Sequence, residues 1–174
     1  MNTELQSEMN QTLSEFSKIL SMFNNEEVNI IPFEGSWTAG QVATHLIMSN
    51  GGFLSMTNGP VKQTERSPDE FVRQIRTMFL DFKSKMKSPE FIEPPMVNYK
   101  KQDLLNSLNL IQTKLHEAIG EGELEQTCLA FELQSLGFLT RLEAFHFVLY
   151  HTQRHINQLK KISNHFIAKK VSIS

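Results

Sequence analysis

The sequence predicts an all-α protein, a four-helix bundle with a fifth short helix or a long crossover. Three observations favour this fold class. Apolar residues recur at helical spacing in five segments, no segment shows a clear strand pattern, and two helix starts carry capping boxes. A chain of 174 residues suits one hydrophobic core. We therefore expect residues 1–174 to form a single helical-bundle domain.

The first two helices are predicted from their apolar stripes. Residues 5–23 carry an apolar side chain every three or four positions. In the second helix, Thr38 is a good N-cap, and Gln41 three residues later completes a capping box. We expect this helix to continue through a Gly-Gly pair to about Met56, because residues 58–60 (Asn-Gly-Pro) then end it.

The third and fourth helices are predicted from Ser, Pro and leucine-rich patterns. Ser67 is an N-cap and Pro68 occupies the first turn, while lysines in the last turns place the helix end near Lys87. Three prolines make residues 88–98 an extended loop. Residues 101–119, with leucines and isoleucines on one face, form the fourth helix.

The last helix has the clearest start. Thr140 and Glu143 form a second capping box. No Pro or Gly follows as far as Ser174, so one long helix is predicted there. The preceding segment, residues 123–138, shows no clear pattern and is predicted to be coil.

Composition argues against several classes of partner. The formal net charge is -2 and the chain has no basic run, so neither nucleic acid nor a membrane is expected to bind. The single cysteine, Cys128, excludes an intrachain disulfide and fits a reducing compartment. The N-terminus lacks a secretion signal, and no apolar run approaches the ~20 residues that span a bilayer. We therefore expect a cytoplasmic location.

Two histidines lie one turn apart on the last helix. His151 and His155 share a face with Val148 and Leu159, so both should point into the core. Adjacent buried imidazoles need a partner. A divalent cation bound by neutral imidazole is one solution, and hydrogen bonds to backbone or to Gln158 are the other. The spacing leaves both open, whereas His146 falls on the solvated side and is not expected to be a ligand.

His45 on the second helix is the third candidate. It shares a face with apolar and small polar residues, so it also points inward. If the second and last helices touch, three neutral imidazoles meet, a common catalytic arrangement for zinc and related metals. Gln158, Ser49 and Gln41 are candidates for contacts around these ligands. Plain packing or backbone hydrogen bonding is the alternative role for Gln158 and Ser49.

The two histidine motifs resemble the DinB-like family of metal-dependent enzymes. The resemblance rests on residues 37–46 (WTAGQVATHL) and 151–159 (HTQRHINQL), and it covers the whole chain in helix order. It implies an up-down-down-up four-helix bundle, often a homodimer. It also implies a divalent metal, nickel or zinc among others, on three histidines that match His45, His151 and His155. Related proteins include bacillithiol S-transferases and mycothiol-dependent maleylpyruvate isomerases.

Different classes of function therefore remain. A metal-dependent hydrolase or thiol S-transferase would use an open tri-histidine site on a small-molecule substrate, with a low-molecular-weight thiol as a candidate co-substrate. Neither histidine motif contains an obvious general base, which favours chemistry by a metal-bound nucleophile. A non-catalytic bundle that binds a metal or a small ligand is the alternative, and a plain interaction protein without metal is the third.

Overall fold

The structure, a computed structural model, describes residues 2–171. Five α-helices, two short 3-10 turns and two two-residue strands make up its regular elements. The helices are α1 (Asn2–Met22), α2 (Ala39–Thr57), α3 (Val72–Leu80), α4 (Lys101–Glu121) and α5 (Arg141–Val171). The strands are β1 (Val61–Lys62) and β2 (Thr127–Cys128), and the 3-10 turns are Glu27–Asn29 and Glu90–Ile92. The predicted all-α bundle is confirmed, and α3 is its short fifth helix.

Helices α1 and α4 pack side by side in opposite directions. Near the start of α1, the Gln6 amide donates to the carbonyl of His116 at 2.8 Å. Just beyond its end, the carbonyl of Phe23 accepts from Lys101 Nζ at 2.8 Å. The start of each helix therefore lies beside the end of the other.

Helices α2 and α5 are also antiparallel, and α5 runs parallel to α1. Arg141 Nε at the start of α5 donates to the carbonyl of Thr57 at the end of α2, at 2.8 Å. Phe23, after the end of α1, packs edge-on against Phe166 near the end of α5. With α1 taken as up, α2 and α4 run down and α5 runs up. This is the up-down-down-up order.

Both predicted capping boxes are present. Gln41 N donates to Thr38 Oγ1 at 3.1 Å, and Thr38 N donates to Gln41 Oε1 at 3.0 Å. Glu143 N donates to Thr140 Oγ1 at 3.1 Å, and Thr140 N donates to Glu143 Oε2 at 2.9 Å. These side chains satisfy amide groups that the first turn of a helix cannot pair, so the sequence fixes where α2 and α5 begin.

Helix α3 is shorter than the sequence predicted. It begins at Val72 rather than after Ser67, and it ends at Leu80 rather than near Lys87. The Asp81 carboxylate accepts from Lys83 N at 3.1 Å, an Asx-type turn that competes with helix continuation. Residues 81–89 therefore contain no helix.

The coil prediction for residues 123–138 was wrong at β2. Val61 pairs with Cys128 and Lys62 with Thr127 in an antiparallel ladder. Strands of two residues are too short to produce an alternating pattern, which explains why no strand pattern is visible in this segment. The predicted last helix is present to Val171, and its predicted continuation over residues 172–174 lies outside the described residues. No helix within residues 2–171 combines the length and apolarity needed to cross a membrane.

A buried carboxylate fastens the β1–α3 connection to the start of α5. Glu143 is fully buried. Its carboxylate accepts hydrogen bonds from Arg66 Nη1 and Nη2, both at 2.7 Å, and from Phe71 N at 2.9 Å. Such a bidentate pair is strong, and its buried member depends on its partners. This connection in turn places α3 against α5.

We expect Arg66→Ala to lower the free energy of unfolding by about 2 kcal/mol, because it leaves a buried carboxylate without its cation. The loss is at the modest end because 24% of the Arg66 side chain is exposed, and water can partly replace it. Urea unfolding measures the change. Lys160→Ala is the matched control, since the Lys160–Glu15 pair is about half exposed and should contribute less than about 0.5 kcal/mol. Equal losses in the two variants would contradict the assignment.

Candidate metal site

Three buried histidines converge between α2 and α5. His45 lies on α2, and His151 and His155 lie one turn apart on α5, with 3%, 7% and 7% of their surfaces exposed. The Nε2 atom of His151 is 3.2 Å from that of His45 and 3.0 Å from that of His155. The antiparallel contact of α2 and α5 thus brings together the three residues that the sequence singled out. This cluster can hold a metal ion.

The outer nitrogen of each ring faces an oxygen. His45 Nδ1 is 2.9 Å from the carbonyl of Ile92, and His155 Nδ1 is 2.8 Å from Gln158 Oε1. Carbonyl oxygens only accept hydrogen bonds, so both rings donate Nδ1–H outward and turn the Nε2 lone pair inward. His151 Nδ1 has a longer contact, 3.4 Å, with Ser49 Oγ.

This donor set fits a cation. His45 and His155 both point a lone pair at His151 Nε2, and a single proton on that atom can satisfy only one of them. A divalent metal accepts lone pairs from all three imidazoles at once. Outward hydrogen bonds from Nδ1 are also the usual means of orienting metal-binding histidines.

The histidines are held in the neutral form that a metal requires. Burial lowers the pKa of His45, and it lowers the pKa of His155 to about 3. Burial also places the pKa of His151 well below its ordinary value, and repulsion from His155 and His45 adds to this effect. Protons therefore compete weakly for these nitrogens near neutral pH.

Aromatic rings surround the cluster. The Trp37 ring centroid is 5.1 Å from that of His45, and the Phe79 and Phe147 centroids are 5.1 and 5.9 Å from that of His151. Phe79 belongs to α3, so the fifth helix supplies part of this wall. The wall explains how the imidazoles are removed from water, and sequence reasoning did not identify Phe79 or the Ile92 carbonyl.

The three residues predicted to lie around the ligands have different positions. Gln158 contacts His155 and Ser49 contacts His151, as given above. Gln41 does not reach a histidine, because its amide caps α2 and its Nε2 donates to the carbonyl of Pro94 at 3.4 Å. It therefore contacts the chain segment after Ile92 rather than the ligands.

His146 and the single cysteine lie away from the three histidines. His146 is half-buried and its Nδ1 contacts the carbonyl of Leu142 at 2.9 Å. Cys128 is buried in the apolar cluster beside α3, where burial raises its pKa to about 11. Within residues 2–171 the histidine cluster contains no carboxylate and no cysteine. The protein groups that can serve as ligands at this site are thus three imidazoles.

We expect the metal-free protein to lose stability as the pH falls below 6.5. The three folded-state pKa values are depressed, so the unfolded chain binds more protons below its own pKa of about 6.5, and acid favours unfolding. His155, with a folded-state pKa of about 3, should alone contribute a loss of about 1 kcal/mol between pH 6.5 and 5.5. Urea unfolding with a chelator present measures this. His155→Gln should show a shallower pH dependence, and an unchanged slope would contradict the assignment.

Comparison with known proteins identifies the family. Residues 8–159 match the family model described as the DinB superfamily. No curated protein and no solved structure gave a significant match. The family match spans most of the chain, including both histidine motifs and all or most of each of the four bundle helices. The chain therefore belongs to the DinB superfamily.

Proposed function

We propose that His45, His151 and His155 hold one divalent metal ion, zinc or nickel, in an enzyme site for hydrolysis or thiol transfer. One observation carries the metal proposal: three Nε2 atoms converge while carbonyl oxygens accept the outward Nδ1–H of His45 and His155. A buried histidine cluster with no other use for its lone pairs is best explained by a cation.

The number of ligands favours catalysis over a purely structural metal. Structural zinc sites are almost always closed by four protein ligands, whereas catalytic sites keep a position open beside three. The described cluster offers three. When bound, such a metal supplies Lewis acidity and lowers the pKa of a bound water or thiol.

The chain's own residues have definite tasks in this proposal. Ile92 and Gln158 accept the Nδ1 protons of His45 and His155 and so keep the inner nitrogens free of protons. Phe79, Phe147 and Trp37 exclude water from the imidazoles. No carboxylate belongs to the described cluster, so no side chain of this kind stands ready as a general base. This favours a reaction in which the nucleophile is activated without one.

The finer features of the proposal come from the resemblance to thiol-transferring relatives. A low-molecular-weight thiol is the proposed co-substrate, with a small electrophile as acceptor, and ester or amide hydrolysis is the parallel branch. A homodimer and a cytoplasmic location complete the proposal. The single cysteine, Cys128, supports a reducing compartment.

A non-catalytic metal- or ligand-binding protein is the second candidate. The observation in its favour is burial, since each of the three histidines is at least 93% covered. A substrate can reach such a buried cluster only if neighbouring parts of the chain move aside. A protein that retains a metal without turnover needs no such movement.

Metal content tests the common part of both candidates. We expect protein purified without an affinity tag to contain about one zinc or nickel per chain. His45→Ala should weaken metal binding by more than about 100-fold, because it removes one of three ligands. Elemental analysis and chelator competition measure this. His146→Ala is the matched control on α5, and metal loss in that variant with the fold intact would contradict the ligand set.

Turnover separates the two candidates. The metal-loaded protein should accelerate thiol addition to an electrophile, or ester or amide cleavage, and His45→Ala should abolish the rate. Consumption of thiol or release of a chromogenic leaving group is the measurement, with the metal in buffer as the blank. If neither screen exceeds the blank while calorimetry detects a bound ligand, the binding-protein candidate replaces the enzyme.

A further inference from the structure

Arg154 is a cation beside the histidine cluster that forms no ion pair with the carboxylates in the described part of the chain. It precedes His155 on α5 and is half-buried. The two ion pairs found among residues 2–171, Arg66–Glu143 and Lys160–Glu15, leave it out. A guanidinium in this position requires another explanation for its fixed geometry.

Its partners are three backbone carbonyls, one in the last turn of α3 and two in the residues that follow it. Arg154 Nη1 donates to Phe79 O at 3.2 Å and to Asp81 O at 3.0 Å, and Nη2 donates to Ser84 O at 2.5 Å. The last carbonyls of a helix lack intrahelical partners, and a cation there also interacts favourably with the helix dipole. The planar fork of arginine can hold several acceptors together, which one ammonium cannot.

The carbonyl nearest the site belongs to a residue that contacts a histidine. Phe79 is 3% exposed, and its ring packs against His151 and edge-on against Phe147, with centroids 4.6 Å apart in the latter pair. Holding the Phe79 backbone therefore holds one wall of the cluster. Residues 81–88 continue from this point towards Ser88, whose Oγ is 3.4 Å from His45 Nδ1.

We infer that Arg154 is a positioning residue of the histidine site: its fork fixes the end of α3 and thereby keeps Phe79 closed on His151. The expected consequence of this positioning role, slow exchange of the metal, rests on the proposed metal function. The fastening of residues 79–84 by Arg154 rests on the described contacts alone. The two parts can be tested separately.

The metal-dependent test compares three variants with the natural protein. Each is loaded with zinc, and dissociation is followed by transfer to a chromophoric chelator. Arg154→Gln should release zinc at least about tenfold faster, the size expected when support of a ligand is lost. Arg154→Lys should behave like Arg154→Gln, because charge without the fork does not suffice. Lys160→Gln, which removes a cation elsewhere on α5, should match the natural protein.

The second test needs no metal. Backbone hydrogen exchange in the metal-free full chain should be at least about tenfold faster at residues 79–84 in Arg154→Gln, as expected for local opening. Exchange at residues 142–150 of α5 should stay unchanged, which shows that the fold persists. A natural protein that binds neither zinc nor nickel would defeat the proposed function and leave this test intact.

Two results would overturn the inference. One is unchanged exchange at residues 79–84 in Arg154→Gln. The other is a zinc release rate equal to that of the natural protein in either Arg154 variant. In Arg154→Lys this would show that a positive charge suffices without the fork, and in Arg154→Gln that neither the charge nor the fork is needed.

Discussion

The structure depends on burying three neutral imidazoles whose Nε2 atoms face one another. In a medium of low polarity, unpaired lone pairs at 3.0–3.2 Å are unfavourable. The protein offsets this cost on the outer side of each ring, where Ile92, Gln158 and Ser49 contact Nδ1. The antiparallel packing of α2 and α5 supplies the convergence, and the carbonyl oxygens of Ile92 and Gln158 decide the tautomers of His45 and His155. Without a cation, the bundle core would gain little stability from the convergence of the Nε2 atoms or from the fixed tautomers.

The site does not belong to the four-helix bundle alone. The bundle places the histidines, but the chain between α3 and α4 provides the Ile92 carbonyl and α3 provides the Phe79 ring. Two residues of α5 fasten α3 and its flanking segments. Glu143 binds Arg66 before α3, and Arg154 binds carbonyls at and beyond the end of α3. Helix α5 therefore carries two of the three histidines and also the residues that fasten the segments around them.

Sequence reasoning succeeded where the determinants were local. The capping boxes at Thr38 and Thr140 and the one-turn spacing of His151 and His155 depend only on neighbouring residues, and they placed α2, α5 and the shared histidine face. It failed where partners were distant in sequence. The Ile92 carbonyl has no sequence pattern, and α3 ends at Leu80 because Asp81 forms a turn. Arg154, distant in sequence, donates hydrogen bonds to the carbonyls of Asp81 and Ser84. Gln41 shares the helical face of His45, yet the capping box and Pro94 occupy its amide.

Three histidines favour an enzyme over a structural metal site, whereas the burial of all three favours a protein that retains its metal without turnover. The two candidates differ in how readily the chain beside the histidines, residues 81–89, has to open. Residues 81–89 contain no helix, and their side chains are largely exposed. Hydrogen bonds from Arg154 to the carbonyls of Asp81 and Ser84, and a 3.4 Å contact of Ser88 Oγ with His45 Nδ1, hold them. Segments of this kind open at low free-energy cost relative to a packed helix. The ease with which this segment opens should therefore influence the proposed function as much as the chemistry of the imidazoles does.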